Sequence, residues 1–574
     1  VTHAADSLCV ALAGSGGAGI MTAGNMLLEA AASAGYYALM TRSSGPQIRG
    51  GEAAAMLRIA RHPVECMDSA FDLLAAVDWG NVHRFGEEIP LAAHGLVIGD
   101  GAEGAPPEVF TRAGAQVAAV PLAQIAKGIA GGRANMVLLG LVGGLLGLPE
   151  EALRQAVART LGKRPAALEP SLAAVAAGCE AAAGLPACRR LAPPPPERAA
   201  RWLITGNEAA GLGALRGGVR FVAAYPITPA TEMLEWLSPA LAAVGGVLAQ
   251  AEDELASINM IIGASYGGIP SLTATSGPGL ALMLESLGLA VATETPLVVV
   301  DVMRVGPSTG IPTKSEQGDL DIALHGLHGD APHLVLAPNS VADALATTQW
   351  AVTLAESLQV PAIVLSDQFL GQARAVIDPP PAGPAPVARA VAPADDAGYR
   401  RYALTPSGVS PMALPGAAGI AYTADGLTHS ERGTPSSQAS DHVAQLDKRL
   451  RKLTGHDYGA RWADIEGDGE LAVVCFGSAT GPVREALERA GAAGLSLRLV
   501  SLRLLAPAQP AALAAALAGV RKLLVIEQNH SGQLYRHLKA SFGVTQPMAS
   551  LRKAGGQQFS GDEVYRHLAE WSAT

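Results

Sequence analysis

The chain has 574 residues, 49% hydrophobic and 16% charged, which is too long for one core and too apolar for a disordered or fibrous protein. Against 41 Lys and Arg stand 51 Asp and Glu, a net charge of −10, so the broad positive surface needed by a nucleic-acid partner is missing. Five scattered cysteines (Cys9, Cys66, Cys179, Cys188 and Cys475) form no C-x-x-C pair, which argues against a disulfide framework, a zinc ribbon or an iron–sulfur cluster held by this chain.

The longest apolar stretch, 136–148, is rich in glycine and shorter than the ~20 residues that span a bilayer. No charged-then-apolar signal segment opens the sequence, so a cytoplasmic protein without a membrane partner is expected. Abundant Ala, Gly, Leu and Val point to α/β layers with helices packed closely on buried strands.

In chain order, SLCVALAG, a glycine loop, AGNMLLEAAASAG and YYALMTR read as β–loop–α–β. The run LAPPPPE then stiffens the chain, because proline fits neither a helix interior nor a central strand. We place a first domain at 1–190 and a proline-rich linker at 191–201. A second α/β domain, 202–377, carries the strand-like runs VRFVAAYP, SLTATS, PLVVVDV, HLVLAP and AIVLSD. Open parallel sheets bind ligands beyond the carboxyl ends of such strands. The segment 378–445 is a linker and crossing stretch, long and irregular enough that it is expected to wrap another surface. The last domain, 446–574, returns to β–α–β with LAVVCFGS, VREALERAGAAG, SLRLVSL and KLLVIEQN.

Several strings could carry chemistry. GSGGAG at 14–19 fits a glycine loop that lets amides approach a phosphate, with Arg42 and Arg49 nearby for an anion; tight strand–helix packing without a ligand is the alternative. YPITPATEM places Thr228 between two prolines, on a rigid turn. AEDELASINM opens a helix with Glu252, Asp253 and Glu254. Acids there can simply stabilise the helix start, yet Glu254 borders an apolar face (Ile258, Ile261, Ile262) and can be buried, where a carboxylate can share a proton. TATSGPGLAL is a further small-residue loop ahead of a helix. Arg304, at the end of a strand and ahead of a loop with Ser308, Thr309 and Thr313, offers a planar fork for a carboxylate, or else is a surface arginine. EQNHSGQL presents Glu527, Asn529 and His530 as a ligand edge, a subunit contact or an ordinary turn. Two GDG triplets, at 99–101 and 467–469, lack the following Asn pair of a metal-diphosphate motif and read as turns.

Taken together and in order, GSGGAG, SSGPQIRGGE, YPITPATEM, EDELASINMIIGASYGG, TATSGPGLALM, VGPSTGIPTKSEQGDL and EQNHSGQL closely resemble the α subunit of 2-oxoacid:ferredoxin oxidoreductases with the γ domain fused ahead of it, as in enzymes acting on 2-oxoglutarate. The resemblance covers nearly the whole chain. It implies a γ domain, a thiamine pyrimidine-binding-type domain and a transketolase C-terminal-like domain. It also implies thiamine diphosphate shared with a β subunit, which holds Mg2+ and a 4Fe–4S cluster, and coenzyme A as co-substrate. The implied reaction is oxidative decarboxylation of 2-oxoglutarate to succinyl-CoA with electrons passing to ferredoxin, or the reverse carboxylation, in an (αβ)2 heterotetramer.

Carried onto this sequence, Glu254 becomes the glutamate that bonds the aminopyrimidine ring of thiamine, with Tyr225, Pro226 and Ile227 beside the cofactor. Thr228, Arg304 and Thr313 become the groups that hold the 2-oxoacid, and no metal ligand is implied in this chain. Met412 stands where the family often has arginine, and TADGLTHSERG is a loose version of its acidic loop; both are expected to bear on assembly. Pyruvate or another 2-oxoacid is the alternative substrate, and a non-catalytic scaffolding subunit the alternative role. A nicotinamide dehydrogenase, resting on GSGGAG alone, leaves the later motifs unexplained.

Overall fold

The computed structural model describes residues 4–45, 51–186, 188–195, 200–396 and 398–573; Arg49 and Glu197 lie outside them. The chain divides into two compact units. One comprises Val1–Ile204 with Ala373–Pro380 and Ser560–His567, and the other Thr205–Gln372, Pro381–Phe559 and Leu568–Thr574.

The first unit is built on an eight-stranded sheet in the order Gln116–Ala119, Leu91–Gly99, Phe71–Ala76, Ser7–Ser15, Glu52–Ala60, Tyr37–Ser44, Arg374–Ile377 and Trp202–Thr205. The first four strands are parallel. Glu52–Ala60 runs antiparallel between Ser7–Ser15 and Tyr37–Ser44, so the β–α–β crossover through helix Ile20–Ser33 skips one place that the chain then fills on its return. Ser7–Ser15 is buried along nearly its whole length, as its unbroken apolar run requires. The apolar 136–148 stretch falls largely in helix Ala134–Leu146, a core helix packed on Pro165–Ala182. Among the described residues no helix is long and apolar enough to cross a membrane.

The second unit contains a seven-stranded sheet in the order Val247–Gln250, Phe221–Ala224, Ser271–Thr275, Leu297–Met303, Pro361–Asp367, Leu334–Leu336 and Leu504–Ala506. All are parallel except Leu504–Ala506, which covers the edge of Leu334–Leu336 in the antiparallel sense. A five-stranded sheet follows, in the order Ala463–Glu466, Leu497–Leu502, Leu471–Phe476, Lys522–Glu527 and Met548–Arg552.

The crossing stretch is fastened to its own unit by buried ion pairs and hydrogen bonds. Arg389 forks onto Glu356 (2.7 and 2.8 Å), both side chains buried. Arg401, fully buried, donates to the carbonyls of Glu294 (2.8 Å), Ser410 (3.1 Å) and Thr293 (3.2 Å). From helix Ala439–Thr454, Lys448 and Lys452 each reach the Glu294 carboxylate at 2.7 Å, with all three side chains inside the protein. Met412 is fully buried, its sulfur 3.7 Å from Arg389 Nη1. Met412 thus packs inside its own unit, against the Arg389–Glu356 pair.

Burial by itself would push the Glu294 carboxyl up, but Lys452, Lys448 and Arg401 outweigh it and hold the carboxyl far below the usual carboxylate range. A folded-state value below the ordinary 4.5 means that this stabilisation is present above pH 4.5 and drains away as the pH falls toward the folded value. Glu294→Gln strands two ammonium groups and is expected to cost ~3–5 kcal/mol in urea unfolding at neutral pH. The variant should also lose the part of the acid-induced destabilisation that Glu294 supplies. An unchanged urea midpoint would contradict this account.

Candidate active site

The predicted site residues collect at the carboxyl ends of the seven-stranded sheet. Strand Phe221–Ala224 runs into the 225–229 turn, where the Thr228–Pro229 peptide is cis. Tyr225 and Thr228 are exposed there, and Pro226 and Ile227 are half-buried. Arg304, one residue beyond strand Leu297–Met303, donates Nη1 to the Thr228 carbonyl at 2.8 Å. Its Nε is buried without a hydrogen-bond partner. From the other side, buried Asn207 donates to the Pro229 carbonyl at 2.9 Å. The turn is thus gripped by two side chains, and Arg304 is not a loose surface residue. Thr313 sits where the following loop closes: Val305 N donates to the Lys314 carbonyl (2.9 Å) and Gln368 Nε2 to the Thr313 carbonyl (2.8 Å).

Glu254 begins helix Glu254–Tyr266, and its neighbours divide the tasks. Asp253 caps the helix, accepting from Ala256 N at 2.7 Å. Glu254 is therefore not needed as the cap and is only 7% exposed, whereas Glu252 and Asp253 face solvent. It packs against the first turn of helix Gly277–Thr293. A Cβ at Gly279 would fall 2.8 Å from Glu254 Oε1 and 2.0 Å from Thr275 Oγ1, so only glycine permits this approach. The hydroxyls of Thr273 and Ser276 are buried nearby in sequence with no hydrogen-bond partner.

Two acids underlie the site. Asp301, aligned with Thr275 on the neighbouring strand, is fully buried and neither carboxylate oxygen is hydrogen-bonded. Asp319 lies against the same helix start, both its oxygens 2.6 Å from where a Gly277 Cβ would stand. Burial raises Asp301 well above the usual carboxylate range, with the negative charge of Asp319 adding to it. Burial likewise raises Asp319 to about 6, reinforced by Glu316 and opposed by Arg304. Glu254 and Arg304 are thereby linked through the 277–279 helix turn and Asp319. An aspartate inside the apolar strand LVVVDVM is the sequence signal for Asp301; Asn207 is announced only by the capping box of Thr205 and Glu208 that starts its helix.

Part of the glycine loop of the first unit is already engaged. Ser15 N (2.9 Å) and Oγ (2.6 Å) donate to Asp78, and Gly16 N donates to the Gly51 carbonyl at 2.5 Å. A cavity of about 570 Å³ beside it is lined by Ser15, Asp78, Trp79, Asp100 and Glu103, and three carboxylates repel a phosphate. This favours the packing alternative for GSGGAG. Both GDG triplets are turns: Asp100 accepts from Ala102 N and Ala123 N, and 467–469 joins Ala463–Glu466 to Leu471–Phe476. Glu527, Gln528 and Asn529 are buried rather than offered as a ligand edge, and His530 is exposed.

Three family descriptions match the chain in sequence order. Residues 9–181 match "Pyruvate ferredoxin/flavodoxin oxidoreductase", 212–448 the thiamine-diphosphate-binding domain of pyruvate flavodoxin/ferredoxin oxidoreductase, and 469–564 core domain II of pyruvate:ferredoxin oxidoreductase. The 2-oxoglutarate synthase subunit KorA of Methanothermobacter marburgensis is 36% identical over 64% of this chain and 98% of its own length. The α subunit of 2-oxoacid:ferredoxin oxidoreductase 2 from Aeropyrum pernix is 30% identical over 96% of both chains. The chain belongs to the 2-oxoacid:ferredoxin oxidoreductases. The solved 2-oxoglutarate:ferredoxin oxidoreductase of Magnetococcus marinus, with 2-oxoglutarate, coenzyme A and succinyl-CoA bound, superposes with a TM-score of 0.91 at 35% identity over 99% of both chains. The curated relatives are named as subunits, which fits a multi-chain enzyme of this family.

A buried acid raised above its unfolded value is best accommodated while protonated, so its contribution to stability falls as the pH rises from 3.8 through about 6 for Asp319, and in the same direction for Asp301. Asp301→Asn, which imitates the neutral acid, should raise the thermal midpoint at pH 7.5 by ~2 °C or more, with the gap closing toward pH 4. A midpoint below that of the parent chain at pH 7.5 would show that Asp301 is charged and usefully paired in the folded protein.

Proposed function

We propose that this chain is the α(γ)-type subunit of an enzyme that converts 2-oxoglutarate, coenzyme A and oxidised ferredoxin into succinyl-CoA, carbon dioxide and reduced ferredoxin, in either direction. The observation that carries the reading is the burial of Glu254 against the helix turn at Gly279, on the same sheet edge where Arg304 grips the Thr228 turn. The match to the Magnetococcus marinus enzyme over the whole chain supports the choice of 2-oxoglutarate. The family descriptions name pyruvate, which is therefore the competing substrate.

The residues present suit thiamine diphosphate. A carboxylate that Gly279 lets stand close to the helix start at the carboxyl end of the sheet can receive a ring with hydrogen-bonding edges. When bound, thiamine supplies the electron sink that permits a 2-oxoacid to lose carbon dioxide. Glu254 holds a proton at the edge of the aminopyrimidine ring, and its burial keeps water from competing for it. The guanidinium of Arg304 receives the carboxylate next to the keto carbon, with the hydroxyls of Thr228 and Thr313 completing that grip. Tyr225, Pro226 and Ile227 form the adjoining wall.

The partner is a β subunit that carries the Mg2+–diphosphate end of thiamine and a 4Fe–4S cluster, in an (αβ)2 assembly that passes electrons to ferredoxin in the cytoplasm. Its seat is supported by the apolar side chains left outward on the two helices flanking Glu254: Leu255, Met260 and Leu282 are 48%, 40% and 50% exposed. The first unit helps enclose coenzyme A.

The chain co-produced with its β-type partner should reduce ferredoxin or a viologen anaerobically when given thiamine diphosphate, coenzyme A and 2-oxoglutarate. A preference for pyruvate would overturn the substrate, and no reduction with any 2-oxoacid would favour a scaffolding role. Glu254→Gln should lower turnover ~100-fold or more while the complex still assembles. Arg304→Ala should raise the KM for 2-oxoglutarate ~10- to 100-fold without preventing thiamine binding; unchanged kinetics would exclude Arg304 from the carboxylate site.

A further inference from the structure

The loop from 305 to 319 carries Thr313, and its tip, 306–312, is exposed throughout. Rich in Gly, Pro, Ser and Thr, it has little packing of its own. Its base is held by the five-stranded sheet of the same unit, through residues to which the proposed reaction gives no task. Gln317 is fully buried there. Its Nε2 donates to the Phe476 carbonyl at 2.8 Å, its Oε1 accepts from Gln528 N at 2.9 Å, and its own N donates to the Gln528 carbonyl at 2.7 Å. Asn529 Nδ2 adds a bond to the Gln317 carbonyl at 3.3 Å.

The receptor is shaped for this side chain. Gly477 has φ +63°, and a Cβ there would stand 2.6 Å from Gln317 Nε2, so a larger residue would expel the amide. A second tether runs through buried Asp367, which accepts from Ser315 Oγ (3.2 Å), Leu370 N (3.0 Å) and Ser478 N (3.3 Å). Gln533 Nε2 donates to the Gly318 carbonyl at 2.8 Å, continuing the grip toward Asp319. The strand ends at 476–478 and 527–529, together with the helix start at Gln533, thus hold the base of the loop along 315–318.

We propose that Gln317, seated in the receptor formed by Phe476, Gly477 and Gln528, is a positioning residue for 2-oxoacid binding, which presets the Arg304–Thr313 loop in its carboxylate-binding shape. The inference rests on the reading of Arg304 and Thr313 given above. Ordering a free loop costs conformational entropy, and without the lock that cost would be met each time substrate binds, weakening affinity while leaving the thiamine-facing residues in place.

The test uses the complex of this chain with its β-type partner and compares Gln317→Met, which keeps the volume but cannot bridge, with Gly477→Ala and Arg304→Ala. Both lock variants should raise the KM for 2-oxoglutarate ~10-fold, equivalent to ~1.4 kcal/mol. Turnover at saturating substrate and thiamine affinity should stay near the parent values. If Arg304→Ala raises KM and neither lock variant does, the inference is wrong. If Arg304→Ala leaves KM unchanged, the carboxylate clamp itself falls and the inference with it. Parallel losses of KM, turnover and thiamine affinity in both lock variants, or failure of both to assemble, would reduce Gln317 to a folding residue and overturn its positioning role.

Discussion

The hydrogen bond from Arg304 to the Thr228 carbonyl ties together two strand ends that are not neighbours, since Ser271–Thr275 lies between them. That bond makes a rigid floor at the carboxyl edge of the sheet. Just after the middle strand's end, the 277–279 helix turn has to pass within van der Waals distance of Glu254 on one side and Asp319 on the other. Glycine at both positions is the steric condition for the acid and the arginine to belong to one site. A parallel sheet delivers these groups to one edge because every crossover brings the chain back in the same direction.

Charge burial is handled in two opposite ways within the same unit. Glu294 is surrounded by Lys448, Lys452 and Arg401, each hydrogen-bonded, and so remains ionised and joins the crossing stretch to the sheet domain. Asp301 has no such partners and is driven toward its neutral form. The first arrangement stabilises the fold. The second costs stability at neutral pH and lies under the site, where such costs are tolerated when a function depends on them.

Much of this was legible in the sequence because local strings encode local geometry. Two prolines around Thr228, an acid run opening a helix and an arginine closing an apolar strand each fix a turn or an end, and the parallel sheet then gathers the ends without further instruction. The choice among Glu252, Asp253 and Glu254 followed from the apolar face beside Glu254, and the cap formed by Asp253 explains it. What stayed hidden depends on distant partners. Gln317 and Gln528 are 211 positions apart, and nothing near either one announces the other. The hold of the crossing stretch was hidden for the same reason: its composition resembles a linker, while Arg389 meets Glu356, Arg401 the Glu294 carbonyl and Ser410 the distant Lys448. GSGGAG has the phosphate-loop spacing, but Asp78, 63 residues on, takes the amide and hydroxyl of its Ser15.

The central claim is that Glu254 and Arg304 face one thiamine-bound 2-oxoacid. A crystal or cryo-electron-microscopy structure of the chain with its β-type partner, thiamine diphosphate and 2-oxoglutarate would test it most directly. The account predicts a Glu254 carboxylate oxygen within ~3 Å of an aminopyrimidine nitrogen and the Arg304 guanidinium on the carboxylate beside the keto carbon. Thiamine seated elsewhere, or Glu254 turned away from its ring, would contradict it.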